Sequence, residues 1–334
     1  MKTFGFQWHL TNRCNMRCTH CYAEEFDSRS DMSLSGLQSL ADELFTCLAR
    51  HEVSVNLTGG EPLLLEYLPE LARYLQGFEN LSRIDMISNG TICNSVLDEL
   101  GSLENYGCTK VSCESGITST NDAIRGEGNL ASLCVNIPRI AERTKKPVVL
   151  MTTLAAYNAT DVRATVEMAG RVGASGVIFE RFVPLGQGSE IADQTLSAEQ
   201  WKGAVADITG CAGREIDPVE LAGYHAFWLH IDGREENLSG ARCNLGDESM
   251  ALMPDGTVYP CRRLPEEVGN LARGSFEPIL DRLAGYAPSA LRPRLRGEVC
   301  SACGVEDCAG CRALARAVSG DFLADDPACV KILC

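Results

Sequence analysis

The sequence lacks the features that mark membrane, secreted and nucleic-acid-binding proteins. None of its 334 residues fall in an apolar run that approaches the ~18 residues a membrane span needs. The first residues lead directly into a strand-like segment instead of a signal sequence, so we expect a cytoplasmic protein without a membrane partner. Basic residues are also scarce, 30 against 45 acidic ones, and the net charge of −15 would repel the phosphates of nucleic acid. We therefore expect no nucleic-acid partner.

The composition is nevertheless that of a folded chain. Apolar residues make up 45% and charged residues 22% of the sequence, which excludes a disordered protein. The length fits one large domain, or one barrel followed by a small second domain. The 17 cysteines cannot form a disulfide framework in a reducing compartment, so metal or cluster binding is the better expectation.

The cysteines fall into two groups, with six others standing alone. The isolated ones have apolar neighbours and are interpreted as small buried residues: Cys47, Cys93, Cys108, Cys113, Cys134 and Cys211. The first group is Cys14, Cys18 and Cys21. The second group occupies the last part of the chain and comprises Cys243, Cys261, Cys300, Cys303, Cys308, Cys311, Cys329 and Cys334. Two separate metal-binding regions are predicted.

From Thr3 to about Ile208, short β-branched runs alternate with amphipathic helical segments, as in a parallel sheet covered by helices. The predicted strands are Phe4–Leu10, Val53–Leu57, Ile84–Ser88, Lys110–Glu114, Val148–Leu154 and Val177–Phe182. No Gly-x-Gly-x-x-Gly follows the first strand. Six βα units without that motif favour an α/β fold of the partial, TIM-like (βα)6 barrel type over a doubly wound dinucleotide fold.

The periodicity is lost by about Asp232, and we place a domain boundary near residue 235. This gives a partial barrel over residues 1–234 and a cysteine-rich, loop-rich domain over residues 235–334. Within the second domain, Ala251 to Tyr259 predicts a β-hairpin with Asp255-Gly256 at its turn. A segment so poor in regular structure needs metal to hold it together.

The loop after the first strand, Thr11–Tyr22, carries Cys14, Cys18 and Cys21. Three thiolates on one short loop can bind three irons of a [4Fe–4S] cluster and leave the fourth iron open. Zinc with His20 as a fourth ligand is the alternative, although structural zinc prefers a closed tetrahedron. The Cys-x3-Cys-x2-Cys spacing resembles that of the radical S-adenosylmethionine (SAM) superfamily.

A second motif, Gly59-Gly60-Glu61-Pro62, follows the second strand and resembles the GGEP motif of that family. The resemblance implies that this segment binds the SAM amino group through its backbone and the Glu61 side chain. Glycines allow a close backbone approach, and a carboxylate complements an ammonium group. Taken alone, the four residues would be an ordinary turn.

The resemblance implies further SAM contacts at the ends of later strands. They come from His20, from Asn89 in the segment Ser88-Asn89-Gly90, from Ser112 in the segment Ser112-Cys113-Glu114, and from Arg125. His20 would lie beside the adenine, and Ser112 and Arg125 would contact the SAM carboxylate or ribose. The alternatives are an ordinary Asn89-Gly90 turn and a solvated helix charge at Arg125. Arg181 and the Pro184–Gly188 turn resemble the last SAM-proximal strand of the family.

The C-terminal cysteines resemble the SPASM extension of radical SAM enzymes, which carries two auxiliary [4Fe–4S] clusters. Cys243-x12-Gly256-x4-Cys261 matches the opening of that pattern. The continuation Cys300-x2-Cys303-x4-Cys308-x2-Cys311, followed by Cys329, has two gaps that are one residue short. A zinc ribbon usually separates its cysteine pairs by a dozen or more residues, so zinc is disfavoured.

The family pattern also implies which cysteines share a cluster. The inner cluster would take Cys243, Cys261 and Cys311, and the outer cluster would take Cys300, Cys303, Cys308 and Cys329. Asn237 stands at the usual place of the fourth inner ligand. The inner cluster therefore has either an open iron or a fourth ligand from Cys211 or Cys334.

The resemblance implies an oxidoreductase-type enzyme that reductively cleaves SAM to a 5′-deoxyadenosyl radical, which abstracts a hydrogen atom from a substrate under anaerobic conditions. Modification of a ribosomally made peptide, by crosslinking, thioether formation, epimerisation or oxidation, is the favoured prediction. The alternative is dehydrogenation or decarboxylation of a small molecule in cofactor or natural-product biosynthesis. A reductant such as flavodoxin or ferredoxin is an expected partner. Only thirteen residues precede Cys14, so a peptide substrate would call for a separate leader-peptide-binding protein.

Overall fold

The computed structural model describes residues 2–246 and 248–334. The strands are β1 (Lys2–His9), β2 (His51–Thr58), β3 (Leu81–Ser88), β4 (Tyr106–Ser112), β5 (Val148–Leu154), β6 (Gly176–Arg181), β7 (Tyr224–His230), β8 (Leu238–Arg242), β9 (Ser249–Leu252), β10 (Thr257–Tyr259) and β11 (Gly269–Asn270). The helices are α1 (Leu34–Cys47), α2 (Leu68–Leu75), α3 (Val96–Gly101), α4 (Thr118–Arg125), α5 (Asn129–Thr144), α6 (Val162–Arg171), α7 (Ala198–Cys211), α8 (Glu277–Ala284), α9 (Pro288–Leu291), α10 (Glu298–Ala302) and α11 (Arg312–Ser319). Within the described ranges, we find no helix with the length and apolarity needed to span a membrane.

The strands form a single open sheet in the order β11-β10-β9-β1-β2-β3-β4-β5-β6-β7-β8. Strands β1 to β6 pair in parallel, each with the next along the chain. Parallel neighbours need crossover connections, and the intervening helices supply them. The predicted α/β fold with a partial barrel is confirmed, because the sheet is mostly parallel and does not close on itself.

All six predicted strands are present, but the sequence missed the two that follow them. Strands β7 and β8 continue the sheet beyond β6 in antiparallel orientation. Strand β8 escaped prediction because its residues from Ser239 to Arg242 are exposed, so it has no alternation of buried and exposed side chains.

The first strand shows how the sheet divides a packed side from an open side. Phe4 and Trp8 are buried in the core, at no more than 1% exposure, and lie outside the lining of a cavity to which Gly5 and Gln7 contribute. Successive side chains of a strand point to opposite faces of the sheet. The strand therefore packs one face into the core and presents the other to the cavity.

The predicted hairpin is confirmed and extends the same sheet. Strands β9 and β10 pair in antiparallel fashion, and Gly256 adopts a φ of 84° at their turn. On its other side β9 pairs in parallel with β1. The chain runs from β8, the last strand of the sheet, to β9 through residues 243–248. The boundary near residue 235, which lies between the paired strands β7 and β8, stays a prediction.

A buried ion pair ties the last parallel strand to the C-terminal cysteine region. Arg181, at the end of β6, donates two hydrogen bonds to Asp326, at 3.2 and 3.0 Å. The two side chains are 3% and 1% exposed. Burial alone would raise the pKa of Asp326, but Arg181 and a backbone hydrogen bond from Cys311 hold it below its usual value. The carboxylate therefore stays ionised inside the protein.

We expect Asp326→Asn to destabilise the protein by about 3–5 kcal/mol, because it leaves the Arg181 charge buried without its counter-ion. The matched control is Asp207→Asn. Asp207 Oδ1 lies 3.3 Å from Nε of Arg163, a side chain that is 62% exposed. Loss of this exposed ion pair should cost about 1 kcal/mol or less of stability. The measurement is the urea dependence of the far-ultraviolet circular dichroism under anaerobic conditions. Equal effects of the two substitutions would contradict a stabilising role for the buried pair.

Candidate active site

A cavity of about 500 Å³ lies at the carboxyl ends of the parallel strands. Its walls include Thr58 from β2, Ser88 from β3, Ser112 from β4 and Arg181 from β6. The ends of parallel strands meet at one edge of a sheet, which is where barrel enzymes build their sites. Residues distant in sequence are thereby brought to one place.

The three cysteines of the first group line this cavity. Their loop is held by local hydrogen bonds, among them Met16 N to Cys14 Sγ and Ala23 N to Cys21 Sγ, each at 3.4 Å. Burial raises the pKa of the Cys18 and Cys21 thiols, and Arg125 opposes that effect. Metal binding deprotonates such thiols. A soft-donor set of three sulfurs facing an open space fits an iron–sulfur cluster with one free iron.

The Gly59-Gly60 turn packs directly against this cysteine loop. Gly60 N donates to Thr11 O at 2.7 Å, and Glu61 N donates to Arg13 O at 2.8 Å. Gly59 has a φ of 137°, and a Cβ on either glycine would overlap a backbone carbonyl of residues 11–13. Both glycines line the cavity. The turn therefore requires glycine for its contact with the loop as well as for an approach to a ligand.

Glu61 is fully buried and is not among the residues that line the cavity. Its carboxylate accepts hydrogen bonds from Ser88 Oγ at 2.9 Å, Asn89 N at 2.8 Å and Leu63 N at 3.1 Å. Burial raises its pKa, while these three donors favour the ionised form. The side chain thus joins the ends of β2 and β3. Pro62, the next residue, is also buried outside the cavity lining.

Three charged or polar side chains form a buried group beside Cys18. Glu114 accepts from Arg125 Nη1 at 2.7 Å and lies 3.3 Å from His20 Nε2. Burial would raise the pKa of Glu114, but His20, Arg125 and the Thr153 amide lower it to about 2. All three side chains line the cavity. Arg125 is therefore a buried ion-pair partner and not a solvated helix charge.

Asn89 and Ser112 also line the cavity. The Asn89 amide donates to Asn15 Oδ1 at 2.8 Å and lies 3.8 Å from Cys14 Sγ. This contact joins the end of β3 to the cysteine loop. The structure thus brings His20, Asn89, Ser112 and Arg125 to one cavity.

The C-terminal part of the chain also contributes cysteines to this cavity. They are the three that the family pattern assigns to the inner cluster: Cys243, Cys261 and Cys311. Burial raises the pKa of Cys243 to about 12, and the neighbouring thiols add to the effect. Three thiols from separate segments that line one cavity fit the ligands of an auxiliary iron–sulfur cluster.

The three candidates for a fourth inner ligand lie elsewhere. The Asn237 side chain donates to Ala212 O at 3.0 Å. The charged groups that act on the Cys211 thiol are Arg163, Asp207 and Glu167, on the helices α6 and α7. Cys334 is exposed. None of the three is among the residues that line the cavity.

The outer cysteines surround a second, much smaller cavity, whose lining includes Cys300, Cys303, Cys308 and Cys329. Arg292 donates to the carbonyls of Cys303, Val305 and Cys308 at 2.6 to 2.8 Å and so shapes the cysteine loop. Arg312 is 1% exposed and lies 3.7 Å from Cys300 Sγ. Four thiols around one small cavity with an adjacent buried cation fit a fully ligated, negatively charged cluster.

Sequence reasoning did not select His225 or Asp326, and it placed Glu114 in the segment Ser112-Cys113-Glu114 without assigning it a role. His225 lines the large cavity, and its Nε2 lies 4.0 Å from Cys308 Sγ. Burial lowers its pKa to about 3, and Arg181 adds to the effect. No local pattern marks Asp326, since its partner Arg181 is 145 residues away.

Comparisons with known proteins agree with this geometry. Residues 8–169 match the radical SAM superfamily, and residues 243–311 match SPASM, an iron–sulfur cluster-binding domain. An AdoMet-dependent heme synthase of Methanosarcina barkeri is 25% identical, over 97% of this chain and 95% of that protein. The antilisterial bacteriocin subtilosin biosynthesis protein AlbA of Bacillus subtilis is 24% identical, over 82% of this chain and 58% of AlbA.

Solved structures show the same fold. Native anSMEcpe with bound AdoMet superimposes with a TM-score of 0.73 at 16% identity, over 98% of this chain and 95% of that one. Streptococcus suis SuiB bound to precursor peptide SuiA superimposes with a TM-score of 0.70 at 10% identity, over 98% of this chain and 76% of that one.

A three-thiol loop at the mouth of an open parallel barrel, followed by a cysteine-rich domain, defines a class of iron–sulfur enzymes that use SAM. The chain belongs to the radical SAM superfamily and carries a C-terminal SPASM-type domain. Its cofactors are a [4Fe–4S] cluster with SAM and auxiliary iron–sulfur clusters.

We expect Gly60→Ala to lower both the iron content and the affinity for SAM, because the added Cβ pushes the turn away from the Arg13 carbonyl. Forced overpacking of this kind costs about 1–3 kcal/mol. The control is Gly203→Ala in α7, where an added Cβ meets nothing within 4 Å. Anaerobic iron determination and SAM titration measure both effects. If the two variants had the same iron content and SAM affinity, the close contact between Gly60 and the Arg13 carbonyl would not be required by the site.

Proposed function

We propose that the chain is an oxidoreductase-type radical SAM enzyme that modifies a ribosomally made peptide. The observation that carries the proposal is that Cys14, Cys18 and Cys21 share one cavity with Cys243, Cys261 and Cys311. A substrate in that cavity faces both cysteine sets at once. This arrangement suits a reaction in which a hydrogen atom is removed and an electron must then leave the substrate.

We assign the cysteines as the family pattern implies. Cys14, Cys18 and Cys21 hold the cluster that works with SAM, the inner set holds one auxiliary cluster, and the four outer cysteines hold the other. When bound, the first cluster and SAM supply the 5′-deoxyadenosyl radical that takes a hydrogen atom from the substrate. The absence of Asn237, Cys211 and Cys334 from the cavity lining supports an inner site that leaves one iron free of protein ligands.

The residues around the first cysteine loop bind and orient SAM in this proposal. Gly59 and Gly60 offer their backbone, and Asn89 and Ser112 offer polar side chains at the same cavity. Arg125 is available to a SAM carboxylate at a site where Glu114 already fixes its orientation. Because Glu61 is buried among Ser88, Asn89 and Leu63, we propose that it acts by holding the ends of β2 and β3 in place.

Apolar side chains complete the cavity and exclude water. Met16, Phe26, Met151 and Phe182 all contribute to its walls. A reactive radical must be kept from solvent and from side chains other than its target. Tyr22 closes the space beside Cys21, and its ring lies 4.3 Å from the Arg262 guanidinium. These contacts fix the geometry of the cysteine loop against the C-terminal domain.

A small-molecule substrate is the second candidate, and one observation favours it. The heme synthase of Methanosarcina barkeri aligns with nearly all of this chain and nearly all of its own length. AlbA, by contrast, is matched over 58% of its length. A heme-type precursor is therefore the competing substrate.

We expect conversion of Cys14, Cys18 and Cys21 to Ala to abolish deoxyadenosine formation and to reduce the iron content from about twelve to about eight atoms per chain. The C-terminal clusters should persist, because their ligands come from other segments. The control is Cys134→Ala on α5. The prediction that Cys134 is buried is wrong, because the structure leaves it exposed and outside both cavities. Deoxyadenosine formation at the wild-type rate by the triple variant would refute the assignment, as would stoichiometric zinc in the wild type.

The substrate class is tested by supplying candidates to the reconstituted enzyme with SAM and a reductant. We expect a short peptide encoded beside the gene to stimulate deoxyadenosine formation and to change in mass or in stereochemistry. The triple cysteine variant serves as the blank, and mass spectrometry with chiral amino-acid analysis reports the product. Stimulation by a heme-type precursor, with none of the neighbouring peptides altered, would replace the peptide proposal with the small-molecule one.

A further inference from the structure

The edge strand β8 presents an open row of backbone groups beside the active-site cavity. It is the last strand of the described sheet and pairs only with β7. Its residues from Ser239 to Arg242 are exposed. Outside the ladder to β7, we find no backbone hydrogen bond to these four residues in the part of the chain that the structure describes. Such an edge is a template for another strand.

The ladder defines which amides point outward. His230 N donates to Asn237 O at 2.7 Å, which makes these two residues a hydrogen-bonded pair of the antiparallel ladder. Such pairs alternate along the strands, so Ser239, opposite Trp228, also bonds to β7. The N–H groups of Leu238 and Gly240 therefore face away from the sheet. The short side chains of Ser239, Gly240 and Ala241 leave room for a second backbone.

This edge leads directly into the cavity. Ala241 and Arg242, at the end of β8, belong to the cavity lining, and so do Cys243 and Asn244 immediately after them. A chain that pairs with β8 would therefore run to the mouth of the cavity within a few residues. The edge and the inner cysteine set are neighbours in sequence as well as in space.

Arg242 differs from the other arginines of the cavity. Five of these lie beside a carboxylate or a thiol: Arg125 beside Glu114, Arg181 beside Asp326, Arg262 near Cys21, Arg263 beside Glu180 and Arg312 beside Cys300. The Arg242 guanidinium instead lies over the Tyr224 ring at 5.3 Å and donates to Glu306 O at 3.3 Å. Among the described residues, it forms no ion pair. Its charge is open to a ligand.

We propose that an extended, acidic segment of the peptide substrate adds to β8 as the next strand and places a carboxylate at Arg242. Hydrogen bonds to the outward amides would give affinity without demanding a particular sequence, and Arg242 would select for an acidic residue. The residue to be modified would then enter the cavity from the β8 side. This inference rests on the proposed peptide function.

The probe is a displayed library of random twelve-residue peptides, selected on the reconstituted holoenzyme with SAM present. We expect the recovered peptides to be enriched in Asp and Glu. Arg242→Gln should weaken their binding about tenfold, because a charge-assisted contact is lost. The matched control is Arg234→Gln, since Arg234 is a nearby exposed arginine already paired with Asp232. This control should change the affinity less than about twofold.

Strand addition is tested separately with N-methylated versions of one recovered peptide. Methylation of every second amide should abolish binding in one frame and leave it intact in the other, because only alternate amides of an added strand face β8. Equal tolerance of both frames would overturn strand addition, and equal binding to the Arg242 and Arg234 variants would overturn the acidic contact. Recovery of no binding peptide would overturn both.

The same preparations separate this inference from the proposed function. Deoxyadenosine formation without peptide reports the radical chemistry, and mass change of a neighbouring encoded peptide reports the substrate class. If a peptide is modified but both N-methylated frames bind equally well, the proposed function is supported and docking on β8 is refuted. Loss of peptide modification in favour of a heme-type precursor refutes the proposed function itself.

Discussion

The carboxylate of Asp326 is the point on which the arrangement of the two halves of the protein depends. It binds the Arg181 guanidinium at the end of β6 and accepts a hydrogen bond from Cys311 N at 2.8 Å. Its own backbone N donates to Cys300 Sγ at 3.4 Å. One side chain and its amide thus touch the barrel, the inner cysteine set and the outer cysteine set. The low dielectric of the interior strengthens each of these contacts and makes the loss of any one costly.

Two buried glutamates illustrate how similar side chains acquire different roles from their surroundings. Glu61 is surrounded by neutral donors and lies outside the cavity lining, so its hydrogen bonds hold the strand ends in place. Glu114 faces the cavity between Arg125 and His20 and remains ionised far below neutral pH. A sequence motif assigns a role to the first and none to the second. The second, however, faces the cavity and adds to the effect of burial, which raises the pKa of the Cys18 thiol.

The sequence predicted the parallel half of the fold because its strands are buried and its helices amphipathic. Strands β1 to β6 and the hairpin of β9 and β10 carry local signals of that kind. Strand β8 does not, since an exposed edge leaves no alternation to read. The cysteine groups were visible because ligand spacing is a local property. The Arg181–Asp326 pair and the contact between His225 and Cys308 depend on chain segments that only the fold brings together.

The path of the chain between β8 and β9 couples the two sides of the open barrel. Residues 243–248 are the whole of that connection, and Cys243 is its first residue. The strand β9 is anchored by its pairing with β1, so the far end of the connection is fixed. The two sides of the open barrel are therefore only a few residues apart along the chain, and the segment that joins them begins with a cysteine of the cavity lining.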